Sequence, residues 1–260
     1  MNPDNNIVLK NPADLGACIE EAGFCFAPAD RMRKWLESGT ADALADWAVF
    51  EASWNDMPLD QYMADGGRYR RRRYATLSAR NNEIRLEPHQ PHYQSIEYNA
   101  LNGGVAREYE PISQNVIQGP TMQGVLQFCL QLFNSLQSGA AWHIECHQFR
   151  IETGDGQQGN PTPEGVHRDG VDFVFVMMVK RVNVSSGTTT MHDMEQRTLD
   201  SFTLTAPLDA ALVNDKRCMH GVTPIVQLDP AAPAYRDVLV ITFTDRNRRS
   251  AGNYILDRTK

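Results

Sequence analysis

Val171-Asp172-Phe173-Val174-Phe175-Val176-Met177-Met178-Val179-Lys180-Arg181-Val182 is the stretch on which the fold turns. Its apolar run from Val171 to Val179 is rich in β-branched and aromatic residues and lies between Gly170 and Asn183, the pattern of a buried strand. Further runs of the same texture follow Gly139, at 142–152, 188–193, 201–205, 210–214, 218–227 and 237–244, separated by Gly, Pro, Asn or Asp. No helical pattern intervenes, so the succession predicts a mainly β sandwich or jelly roll. Arg68 to Leu77 is an eighth candidate strand, from the N-terminal half.

Upstream of Gly139 the texture is mixed. Pro12 to Ala22 carries Leu15, Ile19 and Ala22 on one helical face, and Pro28 to Phe50 carries Trp35, Leu36, Leu44, Trp47 and Phe50. Residues 120–137 give the clearest helix signal: Pro120 suits a first turn, and Met122, Val125, Leu126, Cys129, Phe133 and Leu136 recur three and four apart. These helices are expected to cover one outer face of the sheet. The chain therefore reads as one domain over 1–260, with a helix-rich supporting part at 1–140 and a jelly-roll core at 141–245.

At 260 residues with 42% hydrophobic positions, the chain can bury a full core without disulfides or a structural metal. Its 25 Lys and Arg against 32 Asp and Glu leave a net charge of −7, which disfavours nucleic acid or an anionic membrane as partner and favours a small molecule. The five cysteines form no C-x-x-C pair, which argues for reduced thiols in a cytoplasmic setting. Neither a signal peptide nor 18 consecutive apolar residues is present.

The candidate chemistry begins immediately before the Val171 strand, in Glu164-Gly165-Val166-His167-Arg168-Asp169-Gly170. In extended backbone, residues i and i+2 project to the same side, so His167 and Asp169 reach one point in space. Met219-His220-Gly221-Val222-Thr223-Pro224 supplies a third ligand at the start of a later strand. Two histidines and a carboxylate on one face of an octahedron leave the other positions open, which suits non-haem Fe(II) binding a cosubstrate and O2 together. His192 competes for the third position but is expected to be a surface or core histidine.

Arg236 precedes the apolar run Val238 to Phe243, and a guanidinium beside a metal inside a jelly roll needs an anionic partner. If the cosubstrate is 2-oxoglutarate, its distal carboxylate would meet Arg236, with Thr242 on the same strand face; the alternative is a surface arginine paired with Asp237 or Asp229. Arg246, Arg248 and Arg249 are secondary candidates in a polar tail. His143 and His147 would lie about 13 Å apart on a strand and could not share a metal. Neighbouring Gln148 is a candidate cavity residue. In Arg68-Tyr69-Arg70-Arg71-Arg72-Arg73-Tyr74, alternation puts Arg70 and Arg72 on one face, where Arg72 is a candidate for a substrate carboxylate; the other reading is a solvated edge strand. Cys218 shares parity with His220, though a packed core thiol is the ordinary expectation.

The segments His167 to Phe173 and Met219 to Pro224, together with Cys146-His147-Gln148-Phe149-Arg150-Ile151, Asp65-Gly66-Gly67-Arg68-Tyr69-Arg70 and Asn102-Gly103-Gly104, resemble the bacterial 2-oxoglutarate and Fe(II) dioxygenase family that includes free L-isoleucine hydroxylases. The resemblance implies a double-stranded β-helix, iron held by His167, Asp169 and His220, and 2-oxoglutarate cleaved to succinate and CO2 in the presence of O2. It also implies hydroxylation of an unactivated carbon of a free aliphatic amino acid. Arg236 follows His220 by 16 residues, longer than the about ten common in the wider superfamily, and a hairpin loop over Leu228 to Tyr235 would absorb the difference. The alternatives are a cupin-like metal enzyme that does not use 2-oxoglutarate and a catalytically silent ligand-binding domain.

Overall fold

A computed structural model describes residues 9–154 and 156–248. In chain order the elements are α1 (Pro12–Ala22), β1 (Phe24–Ala27), α2 (Ala29–Gly39), α3 (Trp47–Ala52), β2 (Arg70–Arg80), β3 (Glu83–Leu86), α4 (Gln114–Ile117), α5 (Pro120–Leu136), β4 (Trp142–Thr153), β5 (Phe173–Val182), β6 (Val184–Ser186), β7 (Thr189–His192), β8 (Thr198–Phe202), β9 (Ala210–Asn214), β10 (Met219–Val222), β11 (Ile225–Gln227) and β12 (Ala234–Asp245), closed by a 3₁₀ turn at Arg246–Arg248.

Seven strands form an antiparallel major sheet in the order β1-β9-β5-β12-β4-β2-β3. Opposite it lie the ladders β10-β7-β8 and β11-β6. Pro224 has no N–H to donate and separates β10 from β11, which is why the expected strand at 218–227 arrives as two. The link between the two ladders survives through Thr223 N–H donating to the Thr188 carbonyl and Thr188 N–H donating to the Thr223 hydroxyl. This jelly roll is the predicted architecture. The N-terminal 140 residues supply three strands of its major sheet as well as the helices, and the expected strand at 201–205 falls earlier, at β8.

Alternation on the central strands explains the layering. Leu239, Ile241 and Phe243 of β12 face the helices with Trp142, Ile144 and Cys146 of β4, while Val238 and Val240 face the interior between the sheets. On the helical side α5 buries Met122, Val125, Leu126, Cys129 and Phe133 against this sheet, as its spacing predicts. Pro28 to Phe50 divides into two helices, because the chain leaves α2 at Thr40 in extended backbone and makes turns before α3. Asp46 in that connection then accepts from Thr121 N–H at the start of α5, at 2.8 Å. At the other end α1 has a full capping box, with Asn11 accepting from Asp14 N–H and Asp14 from Asn11 N–H. It ends on left-handed Gly23, where a Cβ would overlap Cys218 Sγ.

Candidate metal centre and cosubstrate cavity

His167 and His220 are brought together by the backbone. Each donates its N–H to the other's carbonyl at 2.9 Å, an isolated antiparallel bridge that ties the loop before β5 to β10 across the two sheets. Asp169, two residues on, is held by a carboxylate that sequence reasoning missed. Asp215 accepts from the N–H groups of Asp169, Gly170 and Val171 at 2.9, 2.8 and 3.0 Å, fixing the H-x-D loop; burial first, and the facing Asp169 charge second, raise its pKa. Gly170 sits at φ 79°, and a Cβ there would run into the Tyr98 ring.

The three side chains converge. Asp169 lies 3.8 Å from His167 Nε2 and 3.6 Å from His220 Nε2, and all three donor atoms fall within 4.8 Å of one another. These gaps are too long for good hydrogen bonds and short enough for the three donors to reach one cation together. His167 Nδ1 is 2.9 Å from the Gly165 carbonyl, so it carries the proton and turns the Nε2 lone pair toward the gap. Burial, then the neighbouring His167, push His220 down to about 4, which keeps it a neutral ligand. At His167 burial pulls the pKa down, but Asp169 and Glu164 outweigh it and the value rises. The donor set fits Fe(II).

One cavity joins this cluster to Arg236, Thr242 and Arg72. Arg236 is the third residue of β12 and 3% exposed, and its Nε has no hydrogen-bond partner among the described residues. Asp237, the alternative partner, points to the opposite sheet face and is held by Arg150 through two 2.7 Å bonds. The chain returns from β11 to β12 through 228–233, with Asn183 accepting from Asp229 N–H and donating to the Ala232 carbonyl; this loop absorbs the long spacing from His220. Thr242 shares the cavity face of β12.

The cation-rich strand divides as alternation predicts. Arg71 pairs with Glu152 and Arg73 with Asp56 on the outer face, whereas Arg70 and Arg72 are buried at the cavity. This half of β2 is no solvated edge, since Leu59 and Pro111 bridge to it. Arg72 lies between the Tyr109 and Phe149 rings, 4.1 and 4.6 Å from their centroids, and donates to Tyr109 Oη.

Gln148 is a correction. It shares parity with Trp142, Ile144 and Cys146, faces the helices, and donates to Ser53 Oγ at 2.7 Å; the cavity receives its neighbours His143, Glu145, His147 and Phe149. His192 lies on the far face of β7, held by Thr190 and Gln196, and does not join the cluster. Cys218 is a buried core thiol, raised to about 11 by burial. Arg246 is exposed, and Arg249 lies outside the described residues.

Glu145 is the hub of a second polar group. Tyr74 Oη donates to it at 2.7 Å, and nitrogens of His92, His143 and His147 lie 3.4, 3.5 and 3.8 Å away. Donor atoms of His92, Glu145 and His147 also lie within 4.8 Å of one another, but the Arg72 guanidinium is 2.9 Å from His147 Nδ1. That nitrogen must accept, so Nε2 carries the proton and faces Glu145, and the adjacent cation repels a metal. The triad of His167, Asp169 and His220 is the better ion site.

A family model described as 2OG-Fe dioxygenase matches residues 51–242. The chain belongs to the 2OG-Fe dioxygenase family. It is thus a 2-oxoglutarate-dependent non-haem iron dioxygenase, using Fe(II), 2-oxoglutarate and O2. It is 24% identical over 240 residues to a 3(1)-hydroxy-L-isoleucine 4-dioxygenase of Pantoea ananatis (strain AJ13355), covering 90% of this chain and 96% of that one. It is 26% identical over 163 residues to an L-isoleucine-4-hydroxylase of Bacillus thuringiensis, covering 61% and 67%. Among solved structures, a bsmA homolog from Methylobium petroleophilum PM1 is 35% identical with a TM-score of 0.82, covering 91% and 94%. None of the described helices is long and apolar enough to cross a membrane.

Proposed function

We propose that residues 1–260 act as one dioxygenase domain that hydroxylates an unactivated carbon of a small substrate, a free aliphatic L-amino acid. In this reading His167, Asp169 and His220 hold Fe(II), which when bound couples oxidative decarboxylation of 2-oxoglutarate to oxidation of the substrate. The observation that carries it is the convergence of these three donors in one cavity with a buried guanidinium, Arg236, whose Nε has no partner among the described residues.

Arg236 receives the distal carboxylate of 2-oxoglutarate, and Thr242 lines the same wall. Asp215 keeps Asp169 aimed at the centre through its three backbone bonds. The remaining wall from β5, β9 and β12 is aliphatic, with Val174, Val176, Val213, Val238 and Val240, which suits an aliphatic side chain and excludes water from the oxidising centre. The two curated relatives named for isoleucine chemistry support an amino-acid substrate.

The test is succinate formation by Fe(II)-loaded protein exposed to O2 with 2-oxoglutarate, alone and with L-leucine, L-isoleucine or L-methionine, against a His167→Ala blank. Stimulation by one of these amino acids with a matching hydroxylated product, absent in the blank, is the expected result. Succinate formation that none of them stimulates would overturn the substrate class.

A further inference from the structure

Four guanidinium groups line the cavity, and their partners sort them. Arg70 is neutralised by Asp60 at 2.8 Å, and Arg236 stands at the 2-oxoglutarate position proposed above. Two remain. Arg72 is 5% exposed, held by aromatic faces, and has a buried Nε with no partner among the described residues. Arg107 is 1% exposed, and both its Nε and Nη2 are buried without partners among the described residues.

The fold places these two groups beside each other through His92. His92 and Arg107 exchange backbone hydrogen bonds at 2.9 Å each. The His92 ring packs against His147, which contacts Arg72 Nη2, and against Tyr109, which caps the Arg72 guanidinium. Burial disfavours the Arg72 charge and nearby Arg107 adds to that effect, and no carboxylate forms an ion pair with either among the described residues. Asp60, which favours the Arg72 charge, is already committed to Arg70, and the acceptors that Arg72 reaches, Tyr109 and His147, are neutral. Such an arrangement is expensive unless an anion completes it.

The same covering segment touches the candidate metal loop. Gln94 donates to the Asp169 carbonyl at 3.2 Å, and Tyr98 packs on Gly170. An anion held by Arg107 therefore sits in the cavity that holds the candidate metal centre, on the covering segment and not on β12, which carries Arg236.

We infer that Arg72 and Arg107 together form a second anion subsite that grips the free carboxylate of the primary substrate. This deepens and rests on the proposed dioxygenase reading: the substrate must present an unblocked carboxylate, which excludes amino acids carried as thioesters or within a peptide chain. A planar carboxylate accepts from Arg107 Nε and Nη2 as a fork, with Arg72 Nε supplying a further donor.

The experiment uses the full chain loaded with Fe(II) and saturated with 2-oxoglutarate without O2. It is titrated calorimetrically with L-leucine, L-isoleucine and L-methionine and with their carboxamides; turnover is then measured in air. The free acids are expected to bind at least about 30-fold more tightly than the amides, as loss of a charge-assisted bond predicts. In Arg107→Gln the KM for the acid rises about 30-fold or more and the acid-over-amide preference collapses, while the KM for 2-oxoglutarate stays within about twofold. Arg107→Lys restores part of the preference. A merely structural arginine would not alter discrimination between acid and amide, and the wild-type comparison stands even if Arg107→Gln does not fold. Amides binding as well as acids, no binding by any of the free acids, or a preference unchanged in Arg107→Gln overturns the carboxylate grip. Failure of the wild-type protein to bind 2-oxoglutarate at all would overturn the reading beneath it.

Discussion

Replacing Arg236 by methionine should weaken 2-oxoglutarate and strengthen the empty protein. The guanidinium is buried at the cavity with an Nε that has no partner among the described residues, and burial first, then nearby Arg181, pull it from the ordinary arginine range down to about 10. At 1.36 kcal/mol per pKa unit, that depression is a penalty of about 3 kcal/mol on the charged form. Both folded and unfolded chains carry the proton at pH 7, so the penalty acts on stability at every pH below about 10. Removing the charge should raise the unfolding free energy of the ligand-free protein by about 1–3 kcal/mol. Losing a charge-assisted, forked bond to a carboxylate removes about 2–4 kcal/mol from binding. The KM for 2-oxoglutarate should therefore rise about 30- to 1000-fold. Urea denaturation of the ligand-free protein and a 2-oxoglutarate titration of succinate formation read the two arms. A KM within about threefold of wild type, or a ligand-free variant less stable than wild type by more than about 1 kcal/mol, would refute the reasoning.

Three further perturbations follow from the packing. His92 and His147 are held at about 4 and about 3, mainly by burial, so the unfolded chain takes up their protons first as pH falls below about 6.5. Their contribution is complete above that pH and is lost as pH drops toward 4, at about 1.4 kcal/mol per pH unit for each; denaturation curves at pH 7, 6 and 5 should show it, with a flatter dependence in His92→Gln. Asp237→Asn leaves Arg150 without its buried partner and should cost about 3–5 kcal/mol in unfolding free energy; a loss under about 1 kcal/mol would mean that water reaches the pair. Gly23→Ala puts a Cβ into Cys218 Sγ at a left-handed position and should cost about 1–3 kcal/mol, with Cys218→Ala recovering the steric part in a double-mutant cycle.

The strands and the shared side of His167 and Asp169 were legible because both depend on local periodicity, whereas His220 joins them only through the tertiary bridge to His167. Val171 to Val182 and its successors could only be a run of buried strands, and the two-residue step from His167 to Asp169 carries its geometry with it. The same rule contained the answer for Gln148: it shares parity with Trp142, Ile144 and Cys146, whose apolar alternation marks the core face, so the polar face of β4 had to be His143, Glu145 and His147. Arg107 and His92 were not legible. They lie outside the named strands, and only tertiary packing against β4 and β2 brings them to the cavity. Asp215 was missed for a similar reason, since its work is three hydrogen bonds to a loop more than forty residues upstream. Pro224 was visible in the sequence, but its effect on strand length depended on which neighbour needed its missing donor.

The proposed function stands on His167, Asp169 and His220 forming the iron site and sharing a cavity with 2-oxoglutarate. The most direct measurement is Fe(II) bound per chain under anaerobic conditions, with the change in absorbance on adding 2-oxoglutarate, for wild type, each alanine variant of the triad, and His92→Ala. The account predicts one iron per chain and a 2-oxoglutarate-dependent absorbance in wild type and His92→Ala, with iron affinity lost by about tenfold or more in each triad variant. Iron retained by all three triad variants, or lost instead in His92→Ala, would contradict it.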